Sequence, residues 1–153
     1  MTRWIEETFH PHWRVRLAAD RILHEVKTEH QDLVIFTNQT WGTVLMLDGV
    51  CQLTASDEFV YHEMMAHVPL MALRKPKRVL VVGGGDGGVL REVIKHPSIE
   101  KATLCEIDRT VVDTALEHYP EIPGKVFDDP RVEVVIADGL KYVAETDERF
   151  DGI

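Results

Sequence analysis

The chain has 153 residues, of which 44% are hydrophobic and 28% are charged, as in globular proteins of one or two small domains. Seventeen basic and 26 acidic side chains give a formal net charge of −9, which argues against a nucleic-acid partner. The sequence shows no membrane-spanning apolar run, no signal peptide at its start, and only two cysteines. We therefore expect a cytoplasmic protein without a membrane partner or a disulfide framework.

The first third of the chain has the pattern of an antiparallel β unit. Strand-forming apolar runs, separated by turn residues, lie at residues 21–26, 33–36, 44–47 and 50–53. Asp48 and Gly49 between two of these runs are typical of a type I′ hairpin turn, which requires a positive φ at both central residues. We therefore predict a small antiparallel β domain over residues 1–55.

A helix is predicted to follow this β domain. Residues 54–57 match a capping box, and apolar residues at helical spacing continue from Phe59 to Val68. Pro69 is predicted to kink or end the regular part of the helix. The charged residues just before position 77 mark a boundary, so residues 56–76 are assigned to a connecting helix and linker.

From residue 77 onward, strands alternate with helices. Strands are predicted at residues 79–82, 102–106 and 132–136, and helices from the glycine run to about 95, from 108 to about 118 and from 139 to about 145. This alternation is typical of βαβ units around a parallel sheet, whose carboxyl edge binds ligands. Residues 150–153 resemble the opening of a fourth strand, so residues 77–153 are predicted to form part of a larger sheet.

A glycine-rich loop between the first of these strands and its helix is the strongest candidate site. Residues 83–88 satisfy the motif G-x-G-x-x-G, with Gly83 and Gly85 at its first two glycines. Glu106 ends the next strand, where a carboxylate can accept hydrogen bonds from a ribose 2′,3′-diol. The pattern indicates an adenosine-containing ligand but does not choose among such ligands, and a loop that serves packing alone is the alternative.

Asp86 in this loop narrows the choice of ligand. A dinucleotide would place its pyrophosphate at the helix N-terminus, where a carboxylate would repel it by several kcal/mol (about 4 at an effective dielectric of ~20). Asp86 therefore argues against NAD and for a sulfonium or ammonium compound, unless it is only a helix N-cap. A class I methyltransferase also binds a sulfonium nucleoside, but many carry an acid just before the first glycine, where this chain has Val81 and Val82.

Several motifs together resemble the spermidine synthase, or polyamine aminopropyltransferase, family. They lie at residues 30–33, 47–52, 57–64, 83–88, 106–108, 128–131 and 138–139. The stretch Asp-Glu-Phe-Val-Tyr-His-Glu-Met at 57–64, combined with Gly-Gly-Gly-Asp-Gly-Gly, is the most specific, and the likeness extends from about Trp4 to Ile153. It implies an α/β protein with a small N-terminal antiparallel β domain, followed by the first half of a Rossmann-like (class I methyltransferase-type) parallel sheet.

The resemblance also implies an activity and a set of site residues. Family members transfer an aminopropyl group from decarboxylated S-adenosylmethionine, a co-substrate rather than a cofactor, to putrescine, giving spermidine and methylthioadenosine. The residues implied to bind the nucleoside are Gln31, Gly83, Gly85, Glu106, Asp138 and Gly139. The residues implied to bind the amine are Tyr61, His62 and Asp86. No metal is expected, because His62 and His67 are five residues apart, whereas the zinc motif H-E-x-x-H needs four.

The resemblance also has implications for the oligomeric partners and the catalytic base. The family implies a homodimer or homotetramer formed through the N-terminal β region, and a separate C-terminal half is a further candidate partner. The resemblance implies that the proton-accepting aspartate of the family would fall a few residues past Ile153, so we expect this chain alone to be inactive. Two other functions stay open, a class I methyltransferase and a non-catalytic oligomerising or binding module, and the accepted diamine cannot be identified from the sequence.

Overall fold

The computed structural model describes residues 2–153, which fall into two units, one extending to Glu58 and one from Phe59 to Ile153. The three-part division at 1–55, 56–76 and 77–153 stays a prediction. Within the described residues, no helix combines the length and the apolar character needed to cross a membrane.

Six strands build the first unit: β1 (Arg3–His10), β2 (Trp13–Ala19), β3 (Arg21–Lys27), β4 (Asp32–Asn38), β5 (Gly42–Leu47) and β6 (Val50–Thr54). β1 pairs with β2, and β3 to β6 form a four-stranded antiparallel sheet in chain order. Strands β3 to β6 correspond to the predicted apolar runs, whereas β1 and β2 were not predicted as separate strands. These two strands mix charged residues with exposed aromatic ones such as Trp4 and Trp13, and Glu6 is bonded across the pair to Arg14 (2.9 Å) and Arg16 (2.7 Å). This mixture weakens the apolar pattern.

The β5–β6 hairpin and a small core explain why the first unit forms. Asp48 and Gly49 have φ values of 50° and 75°, so the predicted left-handed turn is confirmed. Phe36, Val44 and Met46 are almost fully buried and pack together. Cys51 lies beside this core, and burial, followed by the charges of Glu7 and Asp57, raises the pKa of its thiol to about 11.

The second unit is a three-stranded parallel sheet with helices. Helix α1 (Glu58–Ala72) begins one residue before the start of this unit. The other elements are β7 (Arg78–Val82), α2 (Gly88–Ile94), β8 (Lys101–Glu106), α3 (Arg109–His118), β9 (Val132–Ile136) and α4 (Gly139–Glu145). The strand order is β7-β8-β9, with Val81 beside Leu104 and Leu104 beside Val134. The predicted parallel sheet is therefore confirmed, and all three strands end at one edge.

Two details at α1 differ from the sequence expectation. The helix begins at Glu58, and the Thr54 hydroxyl bonds to the Asp57 carboxylate (2.6 Å) instead of to a helix N–H. The helix also continues past Pro69 to Ala72. A proline near the end of a helix removes only one hydrogen bond, and the burial of Leu70 holds the last turn in place.

The predicted opening of a fourth strand is present at the outer edge of β7. Val79 and Gly152 form a parallel bridge, and Leu80 N donates to Gly152 O (3.0 Å). The Asp151 carboxylate accepts hydrogen bonds from the backbone N–H groups of Lys77 (2.7 Å) and Arg78 (2.9 Å). These contacts hold residues 151–152 in strand register.

The turn before β9 gives a pH-dependent contribution to stability. Asp129 accepts hydrogen bonds from the Arg131 guanidinium (2.8 and 3.0 Å) and from its backbone N–H (2.9 Å), and these hydrogen bonds lower the pKa of Asp129 to about 2. A lowered pKa in the folded state stabilises the protein above the ordinary aspartate value, and this stabilisation is lost as the pH falls through about 2. We expect the thermal midpoint of Asp129→Asn to be lower at neutral pH and to fall less between about pH 4 and 2.

Calorimetric scans across this pH range check the expectation. Asp147→Asn, which changes an exposed aspartate, serves as the control and should keep the wild-type profile. An Asp129→Asn profile as steep as that of the wild type would contradict the proposed link.

Candidate functional site

The glycine loop, residues 83–88, connects β7 to α2 at the carboxyl edge of the sheet. Gly83, Gly84 and Gly87 have φ values of 75–78°, a region that glycine adopts at no steric cost. Gly83 N donates to Cys105 O (2.8 Å), and Gly87 N donates to Gly84 O (2.9 Å). The left-handed backbone therefore explains glycine at these three positions of the loop, of which only Gly83 is one of the three glycines of the motif.

Glu106, at the end of β8, is held against this loop. Its side chain is buried (5% exposed), one carboxylate oxygen accepts a hydrogen bond from Gly85 N (2.9 Å), and the other accepts one from Asp108 N (3.0 Å). A Cβ at Gly85 would lie 3.0 Å from Glu106 Oε2, so a side chain there would crowd the carboxylate. Each carboxylate oxygen retains a further lone pair, so the group can still accept hydrogen bonds from a ligand.

A cavity of about 500 Å³ opens beside Glu106. Its walls are largely apolar, with Val82 and Ile107 at the strand ends and Leu140 on α4. These three side chains are exposed, although they are apolar, because they border this open cavity. An apolar cavity with a few fixed polar groups can hold a flat heterocycle and orient a sugar.

Asp138 and Gly139 form the α4 side of this cavity. The Asp138 carboxylate caps α4 by accepting hydrogen bonds from Leu140 N (2.8 Å) and Lys141 N (3.2 Å). A Cβ at Gly139 would lie 2.4 Å from Val82 Cγ1, so a side chain there would press α4 away from β7. The structure thus brings Gly83, Glu106, Asp138 and Gly139 to one cavity, while Gly85 lies behind Glu106.

A second cavity, of about 250 Å³, lies between α1, β7 and the glycine loop, and it contains the predicted amine-binding residues. Tyr61, His62 and Asp86 all line it, together with mainly apolar side chains. The Tyr61 ring is 60% exposed and meets the His62 ring edge-on, with centroids 5.7 Å apart. The three residues are therefore brought together.

Asp86 and His62 form a buried acid–imidazole pair. His62 Nε2 lies 3.3 Å from Asp86 Oδ1, which also accepts a hydrogen bond from Gly88 N (2.8 Å). Both contacts are to the same oxygen of the carboxylate. The carboxylate is thus oriented through one oxygen, and the other can accept a hydrogen bond from a cationic group.

Gly88 is the reason that His62 can lie so close to the loop. A Cβ at Gly88 would lie only 2.2 Å from His62 Nδ1 and Cε1. The imidazole ring therefore occupies the space that any other residue at position 88 would fill. The glycine motif thus accommodates a side chain from α1 as well as the turn itself.

Three residues near the site were missed by sequence reasoning. Asp108 is buried, caps α3 by accepting from Thr110 N (2.9 Å), and donates its own N–H to Glu106. Its place at the start of a predicted helix could have indicated a cap. Tyr119 is fully buried, and this burial, followed by the charge of Asp86, raises its pKa. Cys105 lines the larger cavity, and burial raises the pKa of its thiol.

Gln31 and the other histidines are not part of these two cavities as described. Gln31 belongs to the first unit, in the turn between β3 and β4, where its backbone N–H donates to Thr28 Oγ1 (3.1 Å), and its nucleoside contact stays a prediction. His67 lies beside His96 (2.9 Å between Nδ1 and Nε2) and Glu92 (3.3 Å). Among residues 2–153, no group of three potential metal ligands is found.

Comparison with known proteins identifies relatives over nearly the whole chain. Residues 58–153 match the family model of the spermine/spermidine synthase domain, and residues 3–55 match that of the spermidine synthase tetramerisation domain. The chain is 54% identical to polyamine aminopropyltransferase 1 of Pseudomonas aeruginosa over 148 residues, which cover 97% of this chain and 52% of that protein. The chain spans about half the length of the curated relatives it matches.

Solved structures show the same fold. The crystal structure of spermidine synthase from Thermotoga maritima matches with a TM-score of 0.92 and 42% identity, over 99% of this chain and 54% of that one. A spermidine synthase in complex with the transition-state analogue AdoDATO matches with the same TM-score and identity, over 99% of this chain and 53% of that one. The fold prediction and the resemblance seen in the motifs are both confirmed. Because the spermine/spermidine synthase domain model covers more than half of its residues, the chain belongs to the spermine/spermidine synthase family.

Proposed function

We propose that this chain carries the nucleoside-binding site and part of the amine-binding site of a spermidine synthase. The reaction transfers the aminopropyl group of decarboxylated S-adenosylmethionine to putrescine and produces spermidine and methylthioadenosine. One observation carries the proposal: the two cavities meet at Val82 and Gly83, and each contains one oriented carboxylate, Glu106 or Asp86. This arrangement suits a ligand with a nucleoside at one end and a cation at the other.

The larger cavity is proposed to hold the nucleoside. Glu106 would accept hydrogen bonds from the ribose hydroxyls, because its carboxylate is oriented by Gly85 N and Asp108 N and retains free lone pairs. The apolar side chains of Ile107 and Leu140 would flank the adenine ring, with the Asp138–Gly139 pair at its edge. Gln31 is proposed as a further nucleoside contact on the resemblance alone.

The smaller cavity is proposed to hold the amines. The donor has a sulfonium and an ammonium group, and putrescine has two ammonium groups, so cations ~5 Å apart repel by a few kcal/mol at an effective dielectric of ~20. The negative charge of Asp86, which lines this cavity, offsets this repulsion. The Tyr61 and His62 rings border the same space and limit its width.

The chemical step requires alignment and the loss of one proton. An uncharged amine nitrogen of putrescine attacks the carbon next to sulfur, the carbon–sulfur bond breaks, and its electron pair goes to sulfur, giving a neutral thioether. The attacking amine has an ordinary pKa near 10, so a base must remove its proton. The location of that base beyond Ile153 and the inactivity of this chain alone stay predictions.

A binding comparison tests the proposed function. We expect decarboxylated S-adenosylmethionine to bind at least about tenfold more tightly than S-adenosylmethionine, because the extra carboxylate of the latter would lie near Asp86 and cost ~1.4 kcal/mol or more. In Asp86→Asn this preference should largely disappear. Isothermal titration calorimetry with both compounds measures it.

Asp113→Asn is the matched control, because Asp113 is an exposed aspartate on α3. This variant should keep the wild-type preference. Equal or tighter binding of intact S-adenosylmethionine by the wild type would contradict the proposal and favour a class I methyltransferase.

The first unit is proposed to assemble copies of the chain into a homodimer or homotetramer. The support is the match of residues 3–55 to the spermidine synthase tetramerisation domain. Sedimentation velocity measures the oligomeric state, and a monomer at micromolar concentration would contradict this proposal.

A further inference from the structure

The contact between His62 and Asp86 has a consequence for the binding of amines. Asp86 Oδ1 is shared between Gly88 N–H (2.8 Å) and His62 Nε2 (3.3 Å). Both side chains are largely buried, with 4% of the His62 side chain and 14% of the Asp86 side chain exposed. Asp86 therefore has a titratable neighbour inside the cavity that is proposed to receive ammonium groups.

The groups around His62 determine which charges can change there. Asp86 faces the ring from the glycine loop, Tyr61 contacts it from α1, and Glu58 precedes it by one helical turn. Tyr119, after α3, is close enough for Asp86 to raise its pKa further above the ordinary value of 10, so it stays neutral near pH 7. Carboxylates are ionised and alkyl ammonium groups are charged between about pH 5.5 and 7.5, so imidazole is the group that changes charge in this range.

A protonated His62 and a ligand ammonium would require the same carboxylate. The imidazolium would pair with Asp86 in the free protein, and a second cation entering the small cavity would meet this positive charge at close range. A neutral imidazole leaves the charge of Asp86 available to the ligand. The protonated ring and the ligand would thus place two positive charges at one carboxylate, and their repulsion weakens the binding of the ligand.

We propose that a protonated His62 competes with the substrate ammonium group for the charge of Asp86, so that a diamine binds more tightly when the imidazole is neutral and its binding at low pH releases up to one proton. This inference rests on the proposed function, because it assumes that Asp86 receives an amine. Beyond that function, the inference is that His62 determines the pH range in which the amine site binds a diamine tightly.

Calorimetric titration of putrescine into the chain saturated with methylthioadenosine tests the proposal. Between about pH 5.5 and 7.5 we expect the affinity to rise by up to tenfold per pH unit and then to level off, as linkage to one proton requires. Buffers of different ionisation enthalpy should report the release of up to one proton per putrescine at the low-pH end. 1,4-Butanediol, which has no charge, should show no such pH dependence.

Two variants separate His62 from other titrating groups. His62→Gln retains a neutral polar side chain, so putrescine should bind with an affinity that changes little with pH. His67→Gln removes a histidine of the same helix that faces His96 and Glu92, and it should retain the wild-type slope. A slope that persists in His62→Gln would overturn the proposal.

A measurement on the unmodified chain keeps the test independent of variant folding. The ring nitrogen signals of His62 in long-range ¹H–¹⁵N spectra give its titration midpoint, which putrescine should shift to lower pH. An unchanged midpoint under saturating putrescine would overturn the inference while leaving the proposed function standing. Absence of putrescine binding at every pH, with methylthioadenosine still bound, would overturn both the inference and the assignment of Asp86.

Discussion

Glu106→Ala is expected to weaken methylthioadenosine binding by at least about 100-fold, because two charge-assisted hydrogen bonds to the ribose hydroxyls, each worth ~1.5–3 kcal/mol, are lost. The same change should lower the free energy of unfolding by about 2–5 kcal/mol, since the N–H groups of Gly85 and Asp108 lose their acceptor. Calorimetry with methylthioadenosine and urea unfolding measure the two effects. Although it lacks the buried Glu106 carboxylate, the Glu106→Ala variant should remain folded at low temperature, where the binding experiment is done.

Two further variants make the Glu106 result specific. Glu106→Gln keeps one carbonyl oxygen as an acceptor, so both losses should be smaller than in Glu106→Ala. Glu133→Ala removes a carboxylate on the neighbouring strand β9 that pairs with Lys101 (2.6 Å) at the surface. That control should change stability by about 1 kcal/mol or less and leave nucleoside affinity unchanged. Equal affinity of the wild type and Glu106→Ala would remove Glu106 from the nucleoside site.

Gly88→Ala is expected to destabilise the second unit by about 1–3 kcal/mol, even though alanine is favoured over glycine within a helix by ~1 kcal/mol. The new methyl group would lie 2.2 Å from the ring of His62, which is 3% exposed, so either the ring or α2 must move from its packed position. The displacement should also separate His62 from Asp86. Urea unfolding measures the change in stability.

A double-mutant cycle tests the stated cause of this loss. Combining Gly88→Ala with His62→Ala removes the clash, so the double variant should be more stable than the sum of the single changes predicts, by about 1 kcal/mol or more. Gly152→Ala is the control, because its Cβ would meet only ordinary contacts at 3.5 Å and beyond. Additive single effects would contradict the packing argument.

Local pattern accounts for what could be predicted of the fold. β3 to β6 and the parallel strands contain runs of apolar residues with turn residues between them, and this signal depends on neighbouring residues alone. β1 and β2 were not predicted because they mix charged residues, such as the cross-strand pair of Glu6 and Arg16, with exposed aromatic residues. Such a pair becomes visible only after the register is known.

In the candidate site, too, local sequence patterns predicted some features, while others depend on contacts between distant residues. The glycine motif and an acid at the end of the next strand pointed to a nucleoside, because this backbone turn limits the possible residues. That Glu106 also accepts the N–H of Gly85, 21 positions earlier, depends on how two strands lie side by side. Likewise, no local pattern indicates that the His62 ring fills the space above Gly88.

The partly buried thiol of Cys51 and the buried thiol of Cys105 have a practical consequence for chemical labelling. Because the pKa values of Cys51 and Cys105 are both raised, only a trace of either is thiolate at pH 7.5, and thiolate is the species that attacks maleimides. A cysteine newly introduced at an exposed position, for example Leu140→Cys at the rim of the larger cavity, would react far faster. A fluorophore could thus be attached at one chosen position while both natural cysteines are kept.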